Sequence, residues 1–386
     1  MATTRSNGLR RERREAERQR REERRGEHVT TRDGRNVDPA VGALVGEAST
    51  VHVRKPEEAF PLTDAAPIAA AGAAAGAGRG TYYGLPAIKK PVWKAWIPTY
   101  FWTGGAAGAA ATLGAAAQIV APRALGRLVF RARSMATLGV GASAALLIVD
   151  LGRPSRFFNM LRVVRPTSPM NVGTWILTGS GISSALAALG SRRAGLVAGA
   201  LGLPLAGYTA VLLSNTAVPA WLHARRSLPA LFVASGVASA AALFELMPQT
   251  AREERVVKAF ALAGKIAEIA GMRAVQRALG RRAHVGESLR TGRAGVLWRA
   301  ARLLSVAGLA ATLLPPRRGR HLAAGLLSTA GALAMRFAVV EAGKQSARDP
   351  RATFEPQREA MGEVPRSALP ERLVQQPAVA GISGVP

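Results

Sequence analysis

A chain of 386 residues with a hydrophobic fraction of 48% is long enough for two or three soluble domains. Its 52 Lys and Arg stand against only 24 Asp and Glu, a formal charge of +28, while the mean hydropathy stays positive at +0.11; apolar spans joined by basic loops account for both facts, and a fully soluble chain does not. Cys is absent, which excludes disulfides, thiolate zinc sites, a cysteine nucleophile and Cys-ligated iron–sulfur clusters in this chain.

Residues 1–27 carry ten Arg and six Glu with almost nothing apolar, a composition that cannot bury a core. Such an arm could bind nucleic acid or anionic lipid, or be a solvated tail. No nucleic-acid module follows it, so the tail reading is preferred and no nucleic-acid partner is predicted. No apolar stretch with a cleavage site follows the basic run, which excludes a secretory or twin-arginine signal. Ala69 to Gly80 is an Ala/Gly linker too short to span a bilayer. Residues 1–92 therefore read as a mostly disordered basic tail with a linker, 93–342 as a transmembrane domain, and 343–386 as a polar C-terminal tail.

Within the middle region, apolar segments of spanning length alternate with short Arg-bearing loops, which predicts an all-α integral membrane protein with about eight transmembrane helices. The predicted spans are 96–120, 133–151, 171–190, 194–214, 228–247, 256–274, 294–315 and 321–341. The sixth carries Lys258, Lys265 and Glu268, so an amphipathic helix lying on the membrane surface or on a partner competes with a span there. The seventh begins with Arg299 and Arg302, which could snorkel to the headgroups. Gly104 and Gly108 have the spacing that lets helices approach closely. An even number of spans puts both termini on one face. Lys89, Lys90, Lys94, Lys344, Arg348 and Arg351 lie near the span ends on that face, which predicts cytoplasmic termini in a multi-pass protein of the cell inner membrane.

With alternating helices, the terminal face also gathers most of the polar aromatics. Trp93 and Trp96 read as an interfacial belt. Asp150, at the end of the second span, could pair with Arg153 or Arg156. Tyr100 and Tyr208 lie a turn or more inside their spans, where a phenol needs a hydrogen-bonding partner. A quinone head group would supply one, and Tyr100, Tyr208 and Asp150 could provide the donors and the proton route of its site; structural packing is the competing reading. Haem is excluded by position, because the five His lie in the tail, in loops or at span ends and cannot form a facing axial pair. Lys265 and Glu268, three apart on one helix face, are expected to pair with each other or to form part of a proton path.

Three blocks carry a resemblance. Tyr82-Tyr83-Gly84-Leu85-Pro86 with Lys90-Pro91-Val92-Trp93 and Tyr100-Phe101 is the first, and the long run from Asp150 to Trp175 through Leu-Gly-Arg-Pro-Ser-Arg-Phe-Phe-Asn-Met is the second. Tyr208-Thr209 with Pro219 and Trp221 is the third. Together they resemble the NrfD/polysulfide reductase membrane-subunit family, PsrC-like. The resemblance implies eight transmembrane helices in two four-helix bundles, with no haem and no iron–sulfur cluster in this chain. It also implies a site for menaquinone or ubiquinone as bound substrate. The implied partners are a four-cluster, ferredoxin-like iron–sulfur subunit docked on the membrane face and a molybdopterin catalytic subunit behind it.

Some members carry Asn and His near the start of the first helix; the corresponding positions here are Ile97 and Tyr100. On this reading Tyr208 and Tyr100 bind the quinone, Asp150 moves protons at the membrane surface, and Arg153, Arg156, Arg162 and Arg165 form the loop that docks the partner. A polytopic transporter, with Lys265, Glu268 and Arg336 lining a path, and a purely structural anchor are the rival classes.

Overall fold

The computed structural model describes residues 37–38, 43–44, 86, 88–153, 155–162, 164–315 and 319–362. The arginine-rich tail, the linker at 69–80 and the end of the C-terminal tail lie outside the described residues. The chain divides into two units, Met1–Thr81 and Tyr82–Pro386. In the first, the described residues form an antiparallel pair of two-residue strands, β1 (Val37–Asp38) and β2 (Ala43–Leu44), with Val37 opposite Leu44.

In the second unit the described regular structure is all helical. In chain order it comprises α1 (Trp96–Val120), α2 (Gly126–Leu151), α3 (Ser155–Leu161), α4 (Pro169–Ala188), α5 (Arg192–Ser214) and α6 (Pro219–His223). Then follow α7 (Leu228–Glu245), α8 (Ala251–Gly280), α9 (Ala283–Glu287), α10 (Gly292–Leu313), α11 (Arg320–Arg348) and α12 (Pro350–Gly362). Each predicted span coincides with one long helix. The differences are at the ends: α2 begins seven residues before the predicted 133, α8 extends at both ends, and α11 runs on to Arg348, with α12 after it. Helix therefore continues into the segment read from sequence as tail, because Ser346 and Ala347 are still buried against the helices around them.

Local signals set several of these boundaries. Ser168 accepts a hydrogen bond from the Asn171 backbone N–H, with Pro169 at the first turn of α4. Ser191 caps α5 through Ala194. A capping box opens α8, with Thr250 Oγ1 accepting from the Glu253 N–H and Glu253 Oε2 accepting from the Thr250 N–H at 2.8 Å.

Packing follows a simple pattern. The α1 helix contacts α2 and α5, and α4 contacts α2 and α5; likewise α7 contacts α8 and α11, and α10 contacts α8 and α11. The seam is formed by α1 against α7 and α11, with α5 against α7. Close approach depends on small residues: a Cβ on Gly108 of α1 would fall on the Gly202 carbonyl oxygen of α5.

Five helices (α2, α5, α7, α10 and α11) are long and apolar enough to cross a membrane. Only 17% of the apolar window of α2 is buried, and Phe130, Leu138, Ile182, Val197, Leu203, Leu303 and Leu326 all face outward. Water penalises that much exposed apolar surface and lipid does not. The chain is a multi-pass membrane protein.

The α8 helix is not among those five, and its burial pattern bears on the two readings of the sixth segment. An amphipathic helix on a membrane surface turns its charges to water. Here Lys265 and Glu268 are wholly buried, while the outward positions Ala259, Ala263, Ile266, Ala267 and Ala270 are apolar. The charge is inside and the grease outside.

Gly108→Leu is expected to wedge α1 from α5 and lower the unfolding temperature of the detergent-solubilised protein by about 5 °C or more. Gly126→Ala, where an added Cβ meets nothing within 4 Å, should leave it unchanged. Equal thermal denaturation curves for the two variants would remove the close approach from the packing argument.

Candidate functional site

A cavity of about 140 Å³ opens where the ends of α1, α2, α4 and α5 meet beside α3. Trp93, Ile97, Tyr100 and Phe101 line it at the start of α1, and Leu147, Asp150 and Leu151 at the end of α2. Met160, Met170 and Thr174 close one side, and Tyr208, Thr209 and Leu212 of α5 the other. The wall is mainly apolar, with a few convergent polar groups, the usual make-up of a small-molecule site.

The three residues selected from sequence, Tyr100, Tyr208 and Asp150, thus surround one cavity. Tyr100 is 5% exposed and Tyr208 9%; among the described residues neither hydroxyl has a hydrogen-bond partner. Tyr208 is seated by Gly173, since a Cβ there would overlap its ring. Asp150 sits in the last turn of α2, which Gly152 ends in the left-handed conformation at φ 71°. Neither Arg153 nor Arg156 forms an ion pair with Asp150; the Arg156 Nη1 instead donates to the Leu151 carbonyl at 3.0 Å. Arg153, Arg156, Arg162 and Arg165 are all exposed around α3, on the same side as the cavity mouth.

Two polar groups of the wall were not singled out from sequence. Thr174 Oγ1 donates to the Met170 carbonyl at 2.9 Å. Thr209 Oγ1 is buried without a partner, and a buried unpaired hydroxyl lining a cavity has a free donor to offer. A single Thr in an apolar helix gives no periodic signal, so only the packing exposes it.

Trp93 departs from the belt expected of it. Its ring stacks on Trp221 at 5.3 Å and meets Phe101 edge-on at 6.3 Å, whereas Trp96 is 45% exposed. Trp221 in turn donates from Nε1 to the Val339 carbonyl at 2.8 Å. The aromatic wall continues from Tyr100 to Phe101 and on to Phe232 of α7, with ring centroids 5.5 and 5.9 Å apart.

A second polar group lies between α7, α8, α10 and α11. Lys265 and Glu268 do not pair with each other. Lys265 Nζ reaches Glu245 Oε2 of α7 at 2.6 Å and Thr312 Oγ1 of α10 at 2.7 Å, and Thr312 also donates to Glu245 Oε1 at 2.9 Å. Glu268 Oε2 instead accepts from Ser305 of α10 at 3.1 Å. The α8 helix packs on both α7 and α10, so each charged side chain is drawn to a different neighbour. Arg336 of α11 is fully buried, donates from Nη2 to the Phe232 carbonyl at 2.9 Å and lies over the Phe232 ring at 3.7 Å. His284, Glu287 and Asp349 bring ligand atoms within 4.8 Å of one another at the surface, but His284 is already engaged by Glu355 at 3.1 Å.

The model of the polysulfide reductase family, NrfD type, matches residues 79–348. The chain belongs to that family. No curated protein matches the chain. The family match spans the cavity, the arginine loop and all the long helices, so it extends into the second half, where none of the three resembling blocks lies. Membership in this family makes the chain a membrane subunit of a redox complex, one that works with other subunits.

Lys265→Met alone leaves Glu245 buried without its cation and should destabilise the protein by about 3–5 kcal/mol. Pairing that change with Glu245→Leu should recover most of the loss. Denaturant unfolding of the two variants in detergent tests the ion pair, and additive losses would dismiss it.

Proposed function

We propose that this chain is the quinone-interacting subunit of an oxidoreductase of the inner membrane, built as eight transmembrane helices in two four-helix bundles with cytoplasmic termini. The observation that carries this reading is the cavity itself, where Tyr100, Tyr208 and Asp150 meet an unpartnered Thr209 hydroxyl at the membrane-facing ends of four helices. The residues fit a flat ring with two oxygen acceptors: phenol and threonine hydroxyls can donate, and Trp93, Phe101 and the two methionines can clasp the ring. Support for eight spans comes from eight helices of 18 residues or more and from the apolar exterior of α8.

Menaquinone or ubiquinone, bound there as substrate, would supply the two-electron, two-proton chemistry. The chain's own part is to bind, orient and move protons. Tyr208, with Tyr100 across the cavity, holds the ring oxygens through its hydroxyl. Asp150, at the cavity edge and unpaired by the neighbouring arginines, takes up or delivers protons at the membrane surface. Burial of the two tyrosines keeps water from the ring.

Arg153, Arg156, Arg162 and Arg165 offer an exposed basic surface to the partner, a four-cluster, ferredoxin-like iron–sulfur subunit that serves a molybdopterin catalytic subunit. A proton path including Lys265 and Glu268 has limited support: a cavity of about 10 Å³, room for about one water, is lined by Glu254, Arg320, Glu245 and Thr312, and Lys265 donates to the last two.

Tyr208→Phe removes one hydroxyl and keeps the ring. It should lower quinone-coupled electron transfer in the assembled complex on the order of tenfold or more. Gly173→Ala, which crowds the Tyr208 ring, should weaken binding of a quinone analogue to the isolated chain, while Gly141→Ala, in open space, should not. Unaltered electron transfer in Tyr208→Phe would exclude Tyr208 from the site. Failure of the isolated chain to bind any quinone analogue would leave a structural anchor.

A further inference from the structure

Apart from the aromatic cavity, the end of α8 and Arg290, just before α10, border an open groove of about 590 Å³ lined by Arg273, Gln276, Arg277, Gly280, Arg281 and Arg290. Its four arginines are exposed, and among the described residues none has a carboxylate partner. Three less exposed arginines of the fold do find partners: Arg320 with Glu254 at 2.6 Å, Arg133 with Gln118 and the Ala187 carbonyl, Arg336 with the Phe232 carbonyl. Concentrated positive charge with no counter-charge in the protein calls for an anion from outside.

The depth of the groove identifies that anion. The α8 helix has 30 residues, about 45 Å at 1.5 Å per residue, against a hydrocarbon core of about 30 Å. Roughly a third of it must therefore lie outside the hydrocarbon. Arg273, Arg277 and Arg281 recur every four residues along the last turns, so they form one stripe at headgroup level. On α10, Arg302 leans the same way and donates from Nη1 to Gln276 Oε1 at 3.3 Å, as a snorkelling arginine does. Further along the same two helices, Ile266, Leu303 and Val306 are more than half exposed, an apolar surface suited to acyl chains.

We propose that this groove is a binding site for an anionic phospholipid with two phosphates, of the diphosphatidylglycerol class. Arg273, Arg277, Arg281 and Arg290 bind the phosphates, and the acyl chains lie on Ile266, Leu303 and Val306. Four guanidinium groups allow two forks on each of two phosphodiesters, and guanidinium forks are shaped for phosphate oxygens. An inorganic phosphate would use the arginines but not the apolar surface beneath them. The site rests on the reading of α8 and α10 as spans, but not on the quinone assignment.

The test uses the full chain, purified in detergent, stripped of lipid and offered defined lipids, with retention read by native mass spectrometry. Diphosphatidylglycerol should be retained over phosphatidylcholine by on the order of tenfold, and salt should weaken it. R273Q/R277Q should reduce that retention on the order of tenfold or more while the unfolding temperature and quinone-analogue binding stay unchanged. R192Q/R193Q, exposed at the far end of the first half, should have no effect.

Equal retention by R273Q/R277Q and the unsubstituted chain would overturn the site, as would equal retention of phosphatidylcholine. Displacement of the lipid by millimolar inorganic phosphate, or by an acidic peptide, would also overturn it by assigning the groove to another anion. A chain that enters no membrane fails the span reading instead, which separates the two claims.

Discussion

Inside hydrocarbon every backbone N–H and C=O must find a partner within the protein, and every charge must find one as well. That constraint explains the inversion of this molecule, with leucine, valine and phenylalanine outside and Lys265, Glu245, Glu268 and Arg336 within. Once turned inward, the charges select their own neighbours. Lys265 ties α8 to α7 and α10 in a closed group with Glu245 and Thr312, and Arg336 ties α11 to α7 through the Phe232 carbonyl and ring. The interior polar groups thereby fix which helices adjoin, a task for which a uniform alanine-rich surface carries little information.

The same seam connects the two halves at the cavity. Phe232 meets both Arg336 and Phe101, and Phe101 neighbours Tyr100 in the cavity wall. Trp93 does the equivalent through Trp221, whose indole is anchored to Val339 of α11. The cavity belongs by its lining to α1, α2, α4 and α5, yet its aromatic backing is held by the second half. A shift of α7 or α11 would be felt at the wall, which gives the second set of helices a bearing on the first.

The face that carries the cavity also carries most of the exposed cations. Arginines flank α3, whose Met160 lines the cavity, and those at the end of α8 lie on the same face, given alternating helices. These two basic regions differ in what lies below them. The α3 region covers a cavity with polar groups, whereas the α8 groove borders bare apolar helix. On the proposed reading, charge of one sign serves a protein partner at one place and the lipid at another, because the neighbouring surface decides which anion can also satisfy its apolar contacts.

The apolar segments and the basic loops between them were legible from sequence, and each predicted span meets a helix, although α2, α8 and α11 run five to seven residues past predicted ends. Hydrocarbon imposes helix on any apolar run of that length, so the local signal is enough. The meeting of Tyr100, Asp150 and Tyr208 was suggested by alternating helix direction alone, since that rule places residues at one face or the other. What the sequence could not determine was rotation about each helix axis. Rotation sent Lys265 to Glu245 rather than to Glu268, moved Trp93 from the lipid interface into a stack on Trp221, and turned Thr209 into the cavity. Those outcomes depend on packing between helices distant in the chain, where glycine contacts such as Gly173 against Tyr208 set the phase, and no periodicity within a single segment encodes them.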